Sequence, residues 1–551
     1  VNVDGYDDVV ITAFDAGPGM TGEAYVYFGG SPMDTLVDLY LDPGGSHDAF
    51  GLGVCAGEDV NGDGYPDIVV GDAHWLSGRA YLYFGGPSLD NVADLVLEGE
   101  GSNAHFGIGL AMGDLNADGA AEVIAGATRW CPPNSIANGR AYVYYGGEML
   151  DDIPDVIVTG QTQGQRLGGG VLATTDLNLD GYRDLCIWAQ YPERFLFHAG
   201  EGWMDRVEEA VVVSPGPWND WFGSGFAAFG VDDLTGDSLP DLVIGACGVD
   251  VDRLQNAGMV YVYSFFHGPV EIRAVPRTPE VHPGERLRYA VGATNTTWRV
   301  QTFEVWSGAL MPDGFLYEGN PIWGPLERTL AAQDTVVVQL NQRIPPGHAT
   351  RAVHVDSSRG GGVSGHSVEQ QQLRVQGGGA MMSTRVLLVI ALVLALAVTC
   401  RVSAEVPELM LTLTRHEGYE EFGYDVANVG DVNGDGAADL VVGAGRSLEG
   451  FGRGYLYLGG AAFDTIPDVV FTGEQRNEAY AKSLAGAGDL NGDGFQDILI
   501  GARSNDEAGP GAGKAYIYFG AEVMDSLPDV ELHGQSGDVM GRALAGCGDV
   551  N

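Results

Sequence analysis

A nine-residue acidic loop that keeps returning limits what this chain can fold into more than any other feature. Residues 431–439 read DVNGDGAAD, with oxygen-bearing side chains at Asp431, Asn433, Asp435 and Asp439, a glycine at Gly436, and the apolar run Leu440, Val441, Val442 directly behind. Ca²⁺ takes roughly six to eight oxygen ligands, so alternate side chains and one backbone carbonyl, here that of Ala437, must converge within a single turn. Gly436 permits the sharp bend. One such stretch also fits an EF-hand, a dockerin-type repeat or a plain Asx turn.

Repetition narrows the choice. Equivalent candidate ligand sets are Asp489, Asn491, Asp493, Phe495 and Asp497; Asp59, Asn61, Asp63, Tyr65 and Asp67; Asp114, Asn116, Asp118, Ala120 and Glu122; Asp176, Asn178, Asp180, Tyr182 and Asp184; and Asp233, Thr235, Asp237, Leu239 and Asp241. In each set the fourth residue would offer its carbonyl. The loops recur every 55 to 62 residues or so, which marks a repeat architecture. Val442, Ile500 and Val70 stand where an EF-hand needs a bidentate Glu, so EF-hands are disfavoured. Thr235 and Ser238 replace Asn and Gly in the 233–241 loop, which makes it the weakest candidate. Metal-free Asx turns remain the alternative for the set.

The chain begins and ends inside a repeat. Asp4, Tyr6 and Asp8 supply only the second half of a loop, and Asp549 and Asn551 only the first. If Val550-Asn551 and Val1-Asn2 are the same two residues, the join reads DVNVDGYDD and makes a seventh loop. Inside the chain, Met381 to Arg385 precede the apolar run 386–398, and Val402-Ser403-Ala404 follows, as in a secretory signal peptide. About thirteen apolar residues are short for a membrane span. A lipoprotein leader using Cys400 and a buried core helix are the other readings of this segment. Together these features predict a circularly permuted order with an internal signal peptide, or a fusion of two paralogous genes.

Each unit carries four short β-rich runs between Gly, Asp and Pro turns, as in DILIGA, GKAYIYFG and PDVELHG after residues 489–497. A lone four-stranded sheet exposes an apolar face, so the units must stack, and radial stacking gives a β-propeller. Seven loops predict seven blades. The last repeat lacks an outer strand, and the spare strand at 409–418 (LMLTLTRHEG) can complete it, closing the ring and removing exposed edges.

Phe422-Gly423, Phe50-Gly51, Phe106-Gly107 and Phe222-Gly223 before the loops, with Gly443-Ala444, Gly501-Ala502, Gly126-Ala127 and Gly245-Ala246 after them, resemble FG-GAP repeats. That is the repeat of the integrin alpha-subunit N-terminal propeller and its bacterial relatives. Departures stand at Leu167-Gly168, Met540-Gly541, Tyr480-Ala481, Gly71-Asp72 and Trp188-Ala189. The resemblance implies Ca²⁺ in the loops, up to seven ions, and partner contacts on the opposite face.

The domains expected are an all-β, seven-bladed propeller at 1–265 and 405–551, an immunoglobulin-like β-sandwich at 266–376, and a linker plus signal-like segment at 377–404. No Cys…Trp…Cys spacing supports a true immunoglobulin domain, and Asn295-Thr296-Thr297 is a glycosylation sequon by pattern only. A net charge of −47 excludes nucleic acid as a partner, since phosphate neutralisation needs clustered cations. Six cysteines without CxxC spacing suggest neither a disulfide framework nor a zinc site.

The links from second to third strand, and from fourth strand to the next blade's first, lie opposite the metal loops and vary most. Trp75, Trp130 and Trp218 in them are candidate anchors for a ligand, or covers for blade ends. Eleven histidines show no HExxH spacing, and no GxSxG elbow occurs. The reading is therefore a secreted or cell-surface adhesion module for a protein or glycan ligand, non-catalytic and without a membrane span in the mature protein. A secreted polysaccharide- or lipid-active enzyme using the funnel, or a structural surface protein, is the alternative.

Overall fold

Apolar runs of β-branched and aromatic residues between Asx and Gly turns fold each repeat into a four-stranded antiparallel sheet. In residues 50–98 the strands are Phe50–Glu58, Asp67–Asp72, Arg79–Tyr83 and Leu95–Glu98, paired in that order. Asp67–Asp72 is buried along its whole length. A computed structural model of the chain describes residues 5–264 and 408–550 except 18–19, 44–48, 74–76, 88, 102, 133–135, 148–149, 179–180, 199, 201–209, 216–220, 224–227, 232, 237–238, 252–253, 416–417, 447–448 and 462, and between these stretches only the strands inside 270–374.

Seven such sheets form. Their first strands are Phe422–Gly430, Tyr480–Gly488, Met540–Gly548, Phe50–Glu58, Phe106–Gly113, Leu167–Ala173 and Ala228–Val231, counted here as blades one to seven. Each first strand neighbours the next, and the seventh neighbours the first, so the ring closes with these strands innermost. Two blades draw strands from distant parts of the chain. Met540–Gly548 pairs with Asp8–Ala13, with Ile11 opposite Leu544. Met259–Ser264 pairs with Glu408–Thr414, with Tyr261 opposite Thr412, so the spare strand completes blade seven as expected.

Seven apolar clusters fill the seven gaps between blades. Between blades four and five, Val69, Leu82 and Leu97 meet Phe106, Val123 and Tyr144, all buried. Phe106 packs edge-on against Tyr142 of its own blade, ring centroids 5.4 Å apart, and Phe50 and Phe422 repeat the contact with Tyr81 and Tyr455. Truncating such a buried Phe to Ala costs about 3–5 kcal/mol.

The glycines of the FG and GA pairs face each other across the gap. Gly107 has φ of 82°, and a Cβ on Gly71 of the previous blade would lie 2.0 Å from the Gly107 carbonyl oxygen. Backbone therefore touches backbone, and a side chain at Gly71 would part the blades. Trp188 breaks this rule in blade six. Its ring is buried, and its Nε1–H donates to the Phe222 carbonyl at 2.8 Å, so the departure carries its own tie to the next blade.

Residues Val1–Phe266 with Val406–Asn551 form one compact unit, and His267–Glu405 a second. The second contains a three-stranded antiparallel sheet of Val270–Pro276, Arg286–Asn295 and Thr335–Arg343, plus the pair Gln301–Ser307 with Trp323–Leu330. The side-chain packing of an immunoglobulin-like sandwich and the signal-like segment at 381–404 fall outside the described residues. Among the described residues no helix is long and apolar enough to cross a membrane.

Candidate metal loops and the opposite face

In an antiparallel meander the turn joining strands one and two lies on the same side as the turn joining strands three and four. The acidic loops occupy the first of these turns, so one face of the ring carries both. The links from strand two to three, and from each blade to the next, lie on the other face.

Three loops share one hydrogen-bond pattern almost to the tenth of an ångström. Asp431 Oδ1 accepts the N–H of Gly434 (2.7 Å) and Asp435 (3.0 Å), and its Oδ2 accepts that of Gly436 (2.7 Å). Asp59 does the same for Gly62, Asp63 and Gly64, and Asp489 for Gly492, Asp493 and Gly494. Asn433 Oδ1 and Asp435 Oδ1 then accept from Asp435 and Ala437. These Asx turns wind the first, third and fifth side chains around one centre before any cation is considered. In the 114–122 loop Asp114 and Asn116 keep the pattern.

The ninth residue behaves differently from the other four candidates. Asp67 is fully buried; its Oδ2 accepts the N–H of Val60 (2.7 Å) and its Oδ1 that of Gly85 (2.8 Å), beyond the third strand. Asp439 ties Val432 to Gly459, Asp497 ties Leu490 to Gly520, and Asp184 ties Asn178 to Gly200. Glu122 and Asp241 hold Leu115 and Leu234 in the same way. Burial pushes Asp67 and Asp497 up to about 7, Asp439 to about 6 and Glu122 to about 8, against the pull of their N–H donors. The ninth carboxylate is thus a clasp that fixes the loop to the following hairpin.

The split loop is assembled across the chain ends. Asp549 Oδ2 accepts the N–H of Gly5 (3.1 Å), and Asp8 ties Val550 (3.0 Å) to Gly29 (2.8 Å), reproducing the first-to-sixth and ninth-to-second bonds of the intact loops. Asp4 and Asn551 lie outside the described residues, as do Asp180 of the 176–184 loop and Asp237 of the 233–241 loop. Tyr6 and Phe495, at seventh positions, set their rings against the preceding loop: Cβ atoms on Gly492 and Gly434 would come within 2.6 and 2.7 Å of them. The donor set is all hard oxygen, as Ca²⁺ requires. Asp549 Oδ1 is buried with no hydrogen-bond partner among the described residues, which fits an oxygen meant for a cation.

A second acidic turn on the same face escaped the sequence reading. Asp34, Asp90, Asp151, Asp464 and Asp525 each accept the N–H two residues on, from Leu36, Val92, Ile153, Ile466 and Leu527. Asp38, Asp94, Asp155, Asp468 and Asp529 accept from Phe28, Phe84, Tyr145, Leu458 and Phe519. The aliphatic residue between the two acids is 66–71 % exposed in all five blades. The repeated D-x-Φ-x-D spelling was the signal.

On the opposite face the contacts differ from blade to blade. Trp130 is half-buried beneath the guanidinium of Arg140, which lies 3.3 Å from the ring centroid, so its ring packs at the end of blade five. Trp75 and Trp218 lie outside the described residues. In blade two, Lys514 is buried and its ammonium pairs with Glu474 (2.9 Å), Glu507 (2.8 Å) and Glu531. Glu507, Glu531 and His533 are close enough together to hold a cation, but Lys514 already supplies the charge there.

Models of known families match at the repeats: "FG-GAP repeat" over 483–518 and "FG-GAP-like repeat" over 59–125 and 431–500. Integrin alpha-5 of Xenopus laevis is 30% identical over 220 residues, 36% of this chain and 20% of that protein. Integrin alpha pat-2 of Caenorhabditis elegans is 30% identical over 225 residues, 36% of this chain and 18% of its own length. Phosphatidylinositol-glycan-specific phospholipase D of Rattus norvegicus is 33% identical over 150 residues, 24% of this chain and 18% of its own length. The chain spans about a fifth of the length of these relatives.

Proposed function

From an FG-GAP, integrin alpha N-terminal-like propeller as premise, we propose that this protein is a secreted or cell-surface calcium-binding recognition module that acts without catalysis. Residues 1, 3, 5 and 9 of each loop, with the carbonyl of residue 7, would hold Ca²⁺, up to seven ions. A protein or glycan ligand would bind the other face. The observation that carries the reading is the contrast between one face, where the same backbone-to-carboxylate bonds recur in blade after blade, and the other, where each blade presents different chemistry. Secretion rests on the leader-like run at 381–404.

Bound calcium would stabilise the fold by RT ln(1 + [L]/Kd) per site, about 2.7 kcal/mol at a hundredfold excess over Kd. Chelation is therefore expected to lower the melting temperature at low ionic strength. An unchanged melt in EDTA sinks the metal assignment. The similarity to a phospholipase D keeps a hydrolytic reading in play. Product release from a panel of glycosylphosphatidylinositols and polysaccharides would establish that reading in place of ours.

A further inference from the structure

We propose that the gap between blades five and six holds a pocket for a phenol ring, the side chain of a tyrosine on a protein ligand of the variable face. This deepens the recognition reading above and rests on it. The third strands read AYVY, AYLY, AYVY, VYVY, GYLY and AYIY in six blades, and their two tyrosines fill the gap to the preceding blade. Blade six alone reads FLFH, at Phe195, Leu196, Phe197 and His198. Its first strand also opens on Leu167, where Phe50, Phe106 and Phe422 stand in their blades. The edge-on aromatic pair of those blades is therefore reduced here to Leu167 and Leu196.

Where the rings are missing lies a cavity of about 200 Å³. Ile157, Val158 and Thr159 of blade five's outer strand form one wall, and Leu196 and His198 of blade six the other. Gln165 lines it as well, and the exposed Gln161 stands at its mouth. Both glutamines belong to the link from blade five to blade six, so the mouth opens on the variable face. An apolar cavity of about 150 Å³ already holds a benzene ring. Space for one aromatic ring is therefore present.

The polar atoms decide which ring. Two residues before their first strands, blades one, two and three carry Glu420, Glu478 and Asp538, which accept the hydroxyls of Tyr455, Tyr516 (3.5 Å) and Tyr25 (3.1 Å) in the same blades. Gln165 holds this position in blade six. It is fully buried, and its Oε1 accepts from the backbone N–H (3.2 Å) and the hydroxyl (3.4 Å) of Thr162. That N–H needs an acceptor, so it fixes which end of the amide is oxygen. Nε2 is then left buried with no hydrogen-bond partner among the described residues. An unmet buried donor is costly, and the oxygen of a phenol in the cavity would satisfy it.

Blades one to three thus supply from within the phenol that blade six would take from outside. The ring would pack on Val158 and Leu196 in place of the missing tyrosine, with its oxygen toward Gln165. A site that hydrogen-bonds a hydroxyl rejects the analogue lacking it, so tyrosine is selected over phenylalanine. A neutral phenol also enters without opposing the field of a chain with net charge −47.

The test is a ligand-observed NMR titration of the full chain with Ac-Tyr-NH2 and Ac-Phe-NH2 at fixed ionic strength. Saturable binding of the tyrosine amide is expected, tenfold or more tighter than that of the phenylalanine amide. Q165A should abolish the preference, and Q165E, which restores the acceptor of blades one to three, should keep it. L196Y supplies the ring from within, so it should weaken binding at least tenfold and melt no lower than the wild type. No saturation, equal affinity for the two amides, or unchanged binding by a folded L196Y overturns the pocket. Should L196Y fail to fold, Q165A decides alone: an unchanged preference overturns the pocket. If L196Y and Q165A bind native cell-surface preparations as the wild type does, the pocket proposal falls and the recognition reading stands. If the wild type binds Ac-Tyr-NH2 but no such preparation, the recognition reading falls and the pocket stands.

Discussion

The two faces of the ring come from the same repeat and respond oppositely to its divergence. On the loop face the bond from the sixth residue to the first carboxylate measures 2.7 Å in the 59–67 and 431–439 loops, 2.8 Å in 489–497 and 176–184, 3.0 Å in 114–122 and 3.1 Å across the chain ends. On the other face blade two buries a lysine among three glutamates, blade five stacks Arg140 on Trp130, and Arg166 donates to Gln190 at 2.8 Å near blade six. Backbone donors fixed by the fold demand the same acceptors every time. Side chains that satisfy one another can be exchanged as a set.

The clasp should break this contrast most visibly. Asp497→Ala leaves the N–H groups of Leu490 and Gly520 buried without an acceptor, each costing about 1–3 kcal/mol. A drop of several degrees in melting temperature is expected even in excess EDTA, where lost calcium cannot contribute. Asp497→Asn keeps one acceptor oxygen and should fall roughly halfway. If Asp497→Ala is harmful only with calcium present, the ninth carboxylate serves the metal alone and its bonds to Leu490 and Gly520 do not clasp the loop.

Calcium comes next in size, and the loops should not contribute equally. Asp59→Ala removes the acceptor of three N–H groups and a central ligand, so it should erase about 2–3 kcal/mol of the calcium-dependent stabilisation. Asp233→Ala should change that increment little, because Thr235 and Ser238 weaken its loop. Calorimetric titration is expected to count fewer than seven ions. A full loss from Asp233→Ala would show that the substitutions in that loop are tolerated by the metal.

How far the sequence could be read follows from which signals are local. Strand number, loop number and the two distant pairings were legible because each half-blade at 1–41 and 540–551, and the spare strand at 409–418, carried strand patterns lacking a partner. The clasp was not legible. Asp67 reads as one more acid in its loop, and its role depends on Gly85, eighteen residues away beyond a hairpin. The D-x-Φ-x-D turns were passed over as ordinary turn punctuation. The two readings of Trp130 could not be separated by sequence, because an aromatic in a variable link gives no sign that Arg140, on the next strand, lies over it.

Trp130→Ala should have a middling effect confined to the variable face. Half-buried packing and a cation–π contact, about 0.5–2 kcal/mol for the latter, are lost with no change in calcium response. Arg140→Ala combined with it should cost less than the sum of the two, as expected of residues in contact. Additive losses would mean that the stack is incidental and that Glu100, which pairs with Arg140, sets the geometry.

The smallest effect on stability belongs to the five exposed aliphatics, and its smallness is informative. Leu36, Val92, Ile153, Ile466 and Leu527 sit between two carboxylates whose bonds are to backbone N–H groups, so the turn is specified without the side chain. Their inward neighbours Met33, Leu89, Leu150, Phe463 and Met524 pack against the inter-blade cores instead. Replacing all five by serine removes little buried area, since each is 66–71 % exposed, and surface changes of this kind stay within about 0.5 kcal/mol each. The melting temperature should hold while binding of a hydrophobic dye falls. A loss of several degrees would show that these turns pack against something on the loop face, and that this face is less uniformly backbone-driven than its hydrogen bonds imply.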